Sequence, residues 1–321
     1  GLSLIKKRQN LGISKIIDNS NINTTPTSSD LGFIVGPQLN AASRIDDSSL
    51  ASQILISNDI LNVEVISKKL MLLNEKRKLI ENIVFDEAVK QAENQKNQNF
   101  ILVFGKNWHN GVLGIVASKL INKFNKPSIV ISFTNSMGVG SARSIENIDL
   151  GDIILNAKNK GILISGGGHK MAAGLQINFE NIYKFSQYLS DILNIVPVHI
   201  FKKIDYYDLI ISSNEVNAEL LDSIEQLEPF GSGNPEPKFI IKDFSIENIK
   251  ILKEKHLLIF SQNEFSVNIK AICFNCINTV LGDYLLNFKN NKLVIGCAIR
   301  RDNFSKSEIP QLVIKDAMII N

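Results

Sequence analysis

The sequence predicts an α/β protein that continues into a small β-rich domain, and three observations carry that reading. Between residues 100 and 193, short apolar runs alternate with amphipathic stretches, the pattern of strands and helices packed in layers. Ahead of this lies a stretch from Asn58 to about Gln95 without Gly or Pro, in which Ile66, Leu70, Leu73, Arg77, Ile80 and Val84 recur at spacings of four and three. After Pro197 the texture changes to short strand candidates separated by Gly, Asn and charged turns. The 321 residues exceed what one hydrophobic core usually holds, so two or three domains are expected.

In order along the chain, residues 19–30 are rich in Asn, Thr and Ser and read as a loop. The helical stretch that follows Asn58 would reach on the order of 54 Å at 1.5 Å per residue, long enough to connect two domains. Residues 100–104, 128–133 and 162–165 are strand candidates, and 113–124, 150–157 and 179–193 are helix candidates. Beyond Pro197, 217–227 reads as a helix and Pro229-Phe-Gly-Ser-Gly-Asn-Pro-Glu-Pro237 as a rigid turn-rich loop. Residues 239–241, 257–260, 267–272, 293–295 and 312–314 are five short strands of a small barrel or sandwich.

Composition bounds the function. With 44% hydrophobic and 21% charged residues, the chain is too apolar to be disordered. It has no run of about 18 apolar residues, the length a membrane helix needs. Its start, Gly1-Leu2-Ser3-Leu4-Ile5-Lys6-Lys7-Arg8, places apolar before basic residues, the reverse of a secretory signal; a cytoplasmic protein without a membrane partner is expected. Thirty-five Lys and Arg against 32 Asp and Glu leave +3, so any phosphate site must be local. Three cysteines, Cys273, Cys276 and Cys297, are an odd set that argues for reduced thiols. The first residue is Gly rather than Met, which suggests a processed product or a piece of something longer.

The strongest local signal is Ser165-Gly-Gly-Gly-His-Lys-Met-Ala-Ala-Gly174. Three glycines, Gly166, Gly167 and Gly168, let backbone amides approach a ligand, and His169 can donate to an anion. A tight turn with a satisfied histidine is the commoner reading of a bare triple glycine, but the full ten-residue string points to function. In Gly138-Val-Gly-Ser-Ala-Arg-Ser144, Ser141 and Arg143 sit two apart and share a side if this is a strand, making a phosphate fork. In Gly36-Pro-Gln-Leu-Asn-Ala-Ala-Ser-Arg44, Asn40 and Arg44 are four apart and share a helix face, although a capped helix with exposed charges gives the same letters. Trp108-His109-Asn-Gly111-Val-Leu-Gly114 enters a helix whose positive end could meet an anion; the competing reading is a Trp packed on the core. The sequence has no GxxxxGK[ST], HExxH or GxSxG motif. Its four histidines are scattered, and Cys273-Phe-Asn-Cys276 is a single CxxC better read as buried thiols.

Together these strings resemble the RecJ family of the DHH phosphoesterase superfamily over essentially the whole chain. Residues 31–47 resemble the end of that family's catalytic domain. Trp108-His-x-Gly-Val-x-Gly-Ile-Val-Ala-Ser-Lys119, Gly140-Ser-Ala-Arg-Ser144 and Gly166-Gly-Gly-His-Lys-Met-Ala-Ala-Gly174 resemble its DHH-associated domain. Leu227-Glu-Pro-Phe-Gly-Ser-Gly-Asn-Pro-Glu-Pro237 and the strands after it resemble the family's OB-fold. The resemblance implies an α/β fold in which a remnant of the DHH domain (1–57) is joined by a connecting helix (58–96) to a DHH-associated substrate-binding domain (97–196). An OB-fold β-barrel that binds nucleic acid (197–321) would follow.

It also implies hydrolysis of single-stranded DNA from the 5′ end, in recombination and repair, with Mn²⁺ or Mg²⁺ held by Asp and His ligands upstream of this chain. No Asp-His-His string or Asp-x-Asp pair occurs here, so no metal ligand is assigned. Carried over residue by residue, His169 would be catalytic and contact phosphate beside the scissile bond, together with the amides of Gly166, Gly167 and Gly168. Arg44, Ser141 and Arg143 would hold the DNA backbone or its 5′-phosphate, with Asn40 and His109 in the same binding set. The family usually has Arg at Gln38 and Gly at Ser43, so one wall of the pocket is expected to be weakened. In the OB-fold, Lys250, Lys253, Arg300, Arg301 and Phe304 are candidates for guiding the strand. Single-stranded DNA is the implied partner, with a single-strand-binding protein as a further candidate. Two other readings stay open: a non-catalytic DNA-binding remnant of a split gene, and a nanoRNA or cyclic-dinucleotide phosphodiesterase of the same superfamily.

Overall fold

The computed structural model describes residues 1–22, 25–262, 268–288, 292–302 and 307–319. The chain divides into two compact units, Gly1–Lys203 and Ile204–Asn321.

The first unit opens with helices α1 (Leu2–Lys6), α2 (Leu11–Asn19), α3 (Ser28–Asp30), α4 (Gly36–Ile45) and α5 (Ser49–Ile56). A π-helical turn over Leu31–Val35 joins α3 to α4, so the proline at the second position of α4 sits where no intrahelical N–H is needed. Arg44 lies in the last turn of α4. Helix α6 (Ile60–Glu93) is 34 residues long, about 51 Å, and Asp59 caps it by accepting from the Leu61 N–H. One stripe of α6 is buried throughout, but its chemistry changes along the way. Val63, Ile66 and Leu70 pack with Ile16, Ile17, Ala42 and Ile54 of the preceding helices. Val84, Ala88 and Ala92 pack with the sheet that follows. Between them Asn74, Arg77 and Glu81 are buried and satisfy one another: Asn74 accepts from the Arg77 guanidinium, and Glu81 pairs with Arg77 and, at 2.5 Å, with Lys119.

The sheet contains β1 (Ile101–Lys106), β2 (Ser128–Thr134), β3 (Met137–Arg143), β4 (Ser165–His169) and β5 (Ala172–Asn178) in the order β1-β2-β3-β5-β4. Only β1 and β2 run parallel, linked by α7 (Asn110–Phe124). Helices α8 (Leu150–Asn159) and α9 (Ile182–Leu193) cover one face, where Phe100, Ile131, Leu175, Ile154 and Phe185 form the larger core. On the other face α7 and α6 cover Ile101, Val103 and Val130. The strand expected at 162–165 is displaced. Ile162 and Leu163 are buried in a bend after α8, and the strand itself runs through the glycines from Ser165 to His169, so apolar content reported burial rather than extended backbone.

The second unit contains β6 (Leu209–Ile211), α10 (Ala218–Glu225), β7 (Phe239–Phe244), β8 (Asn248–Leu252), β9 (His256–Gln262), β10 (Asn268–Cys273), α11 (Val280–Asn287), β11 (Leu293–Asp302) and β12 (Ser307–Ile319). Its seven strands follow the order β6-β7-β11-β12-β10-β9-β8 around a core that includes Phe239, Phe244, Ile259 and Ile295. The expected β-barrel is corrected by this topology: among the described residues the sheet is open. Its edge strands β6 and β8 each pair on one side only, and β6 offers just three ladder residues, too few to zip a barrel shut. Register shifts at Gly296/Cys297 and Arg301/Asp302 supply curvature without closure.

Helices α4 and α7 touch backbone to backbone at one glycine. A Cβ on Gly111 would lie 2.0 Å from the Arg44 carbonyl oxygen. Gly111→Ala should therefore push the two helices apart and cost about 1–3 kcal/mol of unfolding free energy. Gly167→Ala, with nothing within 4 Å of the added carbon, should leave stability unchanged. Urea denaturation of the two variants checks this contrast.

Candidate functional site

Strand β3 alternates. Gly138, Gly140 and Ala142 face the larger core, so Ser141 and Arg143 face the α7 side. The register carries this alternation across two more strands. Ser141 is level with Gly174 and then Gly167; Arg143 is level with Ala172 and then His169. Directly paired residues share a sheet face, so these six positions form two rows on one surface, with His169 about 10 Å from Arg143 by strand spacing. The floor between them carries almost no side chain: a Cβ on Gly167 would meet nothing within 4 Å, and one on Gly174 only the Gly140 oxygen at 3.9 Å.

At one end the floor runs under α7, where β1 and β2 are roofed by Val112, Val116 and Leu120. The Arg143 guanidinium lies against Gly114 of that helix, where a Cβ would come within 2.8 Å of Nη2. Its Nη1 donates to the Ala142 carbonyl at 2.9 Å and to Ser141 Oγ at 3.2 Å. Arg44 Nη1 donates to the Gly111 carbonyl at 3.1 Å. Burial, and then the nearby charge of Arg44, push the Arg143 pKa below its usual value. Among the described residues neither guanidinium has a carboxylate partner. Two neighbouring cations with no acid between them are an arrangement that an anion would stabilise, because it would relieve both their desolvation and their mutual repulsion.

The histidines share one device. Nδ1 of His109 accepts from the Gly111 N–H and so caps α7; Nδ1 of His169 accepts from the Met171 N–H. Each acceptor bond requires an unprotonated Nδ1, which leaves Nε2–H as the outward donor. Asn40 is exposed one turn before Arg44 on α4. Of the three glycines, only Gly167 lies on the open floor. Gly166 faces Ile154, and Gly168 is held against β5, where a Cβ would meet the Ala172 oxygen at 2.2 Å. As the edge strand, β4 still leaves alternate amides without a strand partner. Behind it a groove of about 350 Å³ is lined by Asp149, Asp152, Leu155, Gly168, His169 and Lys170.

Gln38 does not line this site. It is buried among the helices, where its Nε2 donates to Ser20 Oγ, while exposed Ser43 donates to the Asn40 carbonyl. Gly111 and Gly114 act through close contact, a role the WHxGVxG spacing signalled only as a helix entry. Trp108 packs on the core and donates to Glu87. A trough whose donors are Arg44, Arg143, Ser141 and His169 does not suit a divalent cation, and among the described residues no group of three or more His, Cys, Asp or Glu is placed to hold one.

In the second unit the two arginines are engaged internally. Arg300 forks onto Glu236, and Arg301 onto Glu225 and Asp222, so they pin the turn-rich loop and α10 to β11. Glu228 beside them is held above the usual carboxylate range, by burial first and then by Glu225 and Glu236. Lys250 lies over the Phe260 ring on the edge strand, Lys253 is exposed in a turn, and Phe304 lies outside the described residues. The cysteines are buried and free; burial raises the Cys273 thiol and holds Cys297 up at about 12, so both stay protonated at neutral pH.

Comparison with known proteins gives the family of the chain. Residues 97–194 match the DHHA1 domain and 207–316 the RecJ OB domain. The single-stranded-DNA-specific exonuclease RecJ of Bacillus subtilis is 29% identical over 99% of this chain and 41% of its own length. That of Haemophilus influenzae is 34% identical over 88% of this chain and 51% of its own. The crystal structure of Thermus thermophilus RecJ in complex with Mn²⁺ superposes with a TM-score of 0.81 at 22% identity, covering 100% of this chain and 46% of that one, a likeness of fold. The chain thus spans about half the length of these relatives or less. Within that span it carries their DHHA1 and OB domains, and it belongs to the RecJ family.

Proposed function

We propose that this chain is the strand-gripping part of a single-strand-specific 5′→3′ DNA exonuclease acting in recombination and repair. The observation that carries the reading is the pair of carboxylate-free arginines, Arg44 and Arg143, at the closed end of a floor without side chains that leads to His169. A phosphate at the closed end would accept from both guanidiniums and from Ser141, and the glycine floor lets the sugar-phosphate backbone lie against the sheet. Helix α7 roofs the sheet beyond Arg143, so a strand cannot thread past it. That favours a terminal phosphate over an internal one.

His169 lies on the same face, about two strands away, and would donate through Nε2–H to a phosphate further along. Mn²⁺ or Mg²⁺, bound by residues outside this trough, would supply the activated water. The role of this chain's residues is to neutralise, orient and hold the strand while that happens. The second unit, with Lys250 and Lys253 exposed, would itself bind single-stranded DNA, and a single-strand-binding protein is a candidate partner on the same substrate.

Arg143→Ala should weaken binding of a 5′-phosphorylated oligonucleotide about tenfold or more, the worth of one charge-assisted hydrogen bond. A 5′-hydroxyl oligonucleotide should be affected much less; fluorescence anisotropy with both ends decides, and equal losses would refute the end pocket. Binding by this chain should weaken with salt at a log–log slope of about −0.7 per phosphate neutralised, and the purified chain should not degrade DNA when Mn²⁺ is added. Robust hydrolysis that survives His169→Ala would place the chemistry elsewhere. In the complete enzyme His169→Ala should lower kcat more than it raises KM; unchanged turnover removes His169 from the site.

A further inference from the structure

Helix α6 breaks its own pattern where its buried stripe passes from one core to the other. Glu81, its side chain only 7% exposed, sits there against Arg77 and Lys119. Apolar residues of similar volume often serve as well as a buried ion pair or better, so stability alone gives no reason for these charges. What they add is direction. The neighbouring layer of Val84, Ala88, Val112 and Val116 is apolar and sets no preferred register by itself. Lys119 continues the face of α7 that carries Val112 and Val116, at spacings of four and three. Its Nζ lies 2.5 Å from Glu81 Oε1, 3.5 Å from Asn82 Oδ1 and 5.2 Å from the centre of the Phe85 ring, so neighbouring groups of α6 fix one point of α7. The other fixed point is the entry to α7, where Trp108 Nε1 donates to Glu87 at 2.7 Å. A helix pinned at its entry alone can pivot; a second point about 16 Å further on removes the pivot.

Between the two points lie Gly111 and Gly114, where clearance is least: a Cβ would come within 2.0 Å of the Arg44 carbonyl oxygen at the first and 2.8 Å of Arg143 Nη2 at the second. Helix α4 is referred to the same long helix, through Ala42 in the core with Leu70 and through Asp46, paired with Lys69 at 3.2 Å. We infer that Glu81 is a positioning residue: through Lys119 it fixes α7 on α6, and with it the spacing of Arg143 from Arg44. The inference rests on the reading of that pair as the pocket for a terminal phosphate. A dianion shared by two guanidiniums loses one charge-assisted bond when their spacing drifts, so the spacing decides how strongly a phosphorylated end is preferred over a hydroxyl end.

Lys119→Met removes the contact while Glu81 keeps Arg77, and the fold should survive because Lys119 is 36% exposed. With the full chain, fluorescence anisotropy should show the preference for a 5′-phosphorylated over a 5′-hydroxyl oligonucleotide reduced roughly threefold or more, with far-ultraviolet dichroism unchanged. Lys119→Arg should restore the preference. Val84→Ala thins the same apolar layer and leaves the ion pair in place, so it should lower stability and keep the preference. Nitroxides on Ser43→Cys in α4 and Asn122→Cys in α7, both exposed positions, read the separation of the two helices by pulsed electron paramagnetic resonance, and the three native thiols are buried. Lys119→Met should shift or broaden that distance. An unmoved distance, a preference in Lys119→Met equal to that of the unaltered chain, or an equal loss in Val84→Ala would overturn the inference. An unaltered chain indifferent to the 5′-phosphate would instead sink the end pocket itself, and the distance would then decide alone whether Glu81 sets α7.

Discussion

The contact on which the site depends is the backbone approach of α4 to α7 at Gly111. Nothing larger than hydrogen fits there, since the Arg44 carbonyl occupies the place of a side chain. That single omission sets where Arg44 stands relative to Arg143. The second omission, at Gly114 one turn along α7, lets the Arg143 guanidinium lie flat on the helix beside Ser141. Two helices and a strand from distant parts of the chain thereby hold two like charges side by side. Both guanidiniums donate to backbone carbonyls, Arg44 to Gly111 and Arg143 to Ala142, which offsets part of the cost of holding them there.

The sheet beneath follows the same logic. Its α8 and α9 face is continuous and apolar, from Phe100 through Ile131 to Leu175. Its α7 face is apolar only over β1 and β2, then gives way to Ser141, Gly174, Gly167, Ala172 and His169. Edge-strand glycines normally weaken a sheet, through entropy and lost packing. Here Gly166 and Gly168 serve the packing of α8 and β5, while Gly167 leaves the floor bare. The polar middle of α6 has a comparable position: Asn74, Arg77 and Glu81 replace the apolar stripe between the two cores, and Lys119 ties them to α7.

Much of this was legible in the letters. The Gly-free, Pro-free stretch with apolar residues at helical spacing became α6, and the alternating runs became β1, α7 and β2 in place. Ser141 and Arg143 share a face because they are two apart on a strand, as their spacing suggested. What was not legible depends on partners that sequence spacing does not specify. The strand assigned to Ile162 and Leu163 failed because a buried bend and a buried strand have the same composition. The three glycines read alike in sequence, yet only the register with Gly174 and Ala173 separates the open Gly167 from its packed neighbours. Arg300 and Arg301 looked like strand-binding residues because their carboxylate partners, Glu236, Glu225 and Asp222, lie more than sixty residues away.

Electrostatics gives the trough a direction. Its closed end holds the cations Arg44 and Arg143, while His169 at the open end borders a groove of mixed charge lined by Asp149, Asp152 and Lys170. On the proposed reading a polyanion entering this surface would be drawn toward the arginines, where the floor ends under α7. Neutralised by two guanidiniums at its end, a strand would lie with its next phosphates over Gly174 and Gly167, where no side chain holds them off. The histidine would then meet a backbone whose register is already set by its terminus. In this arrangement the arginines would do the positioning, and His169, whose Nδ1 accepts from the Met171 amide, would add a directed hydrogen bond from its outward side.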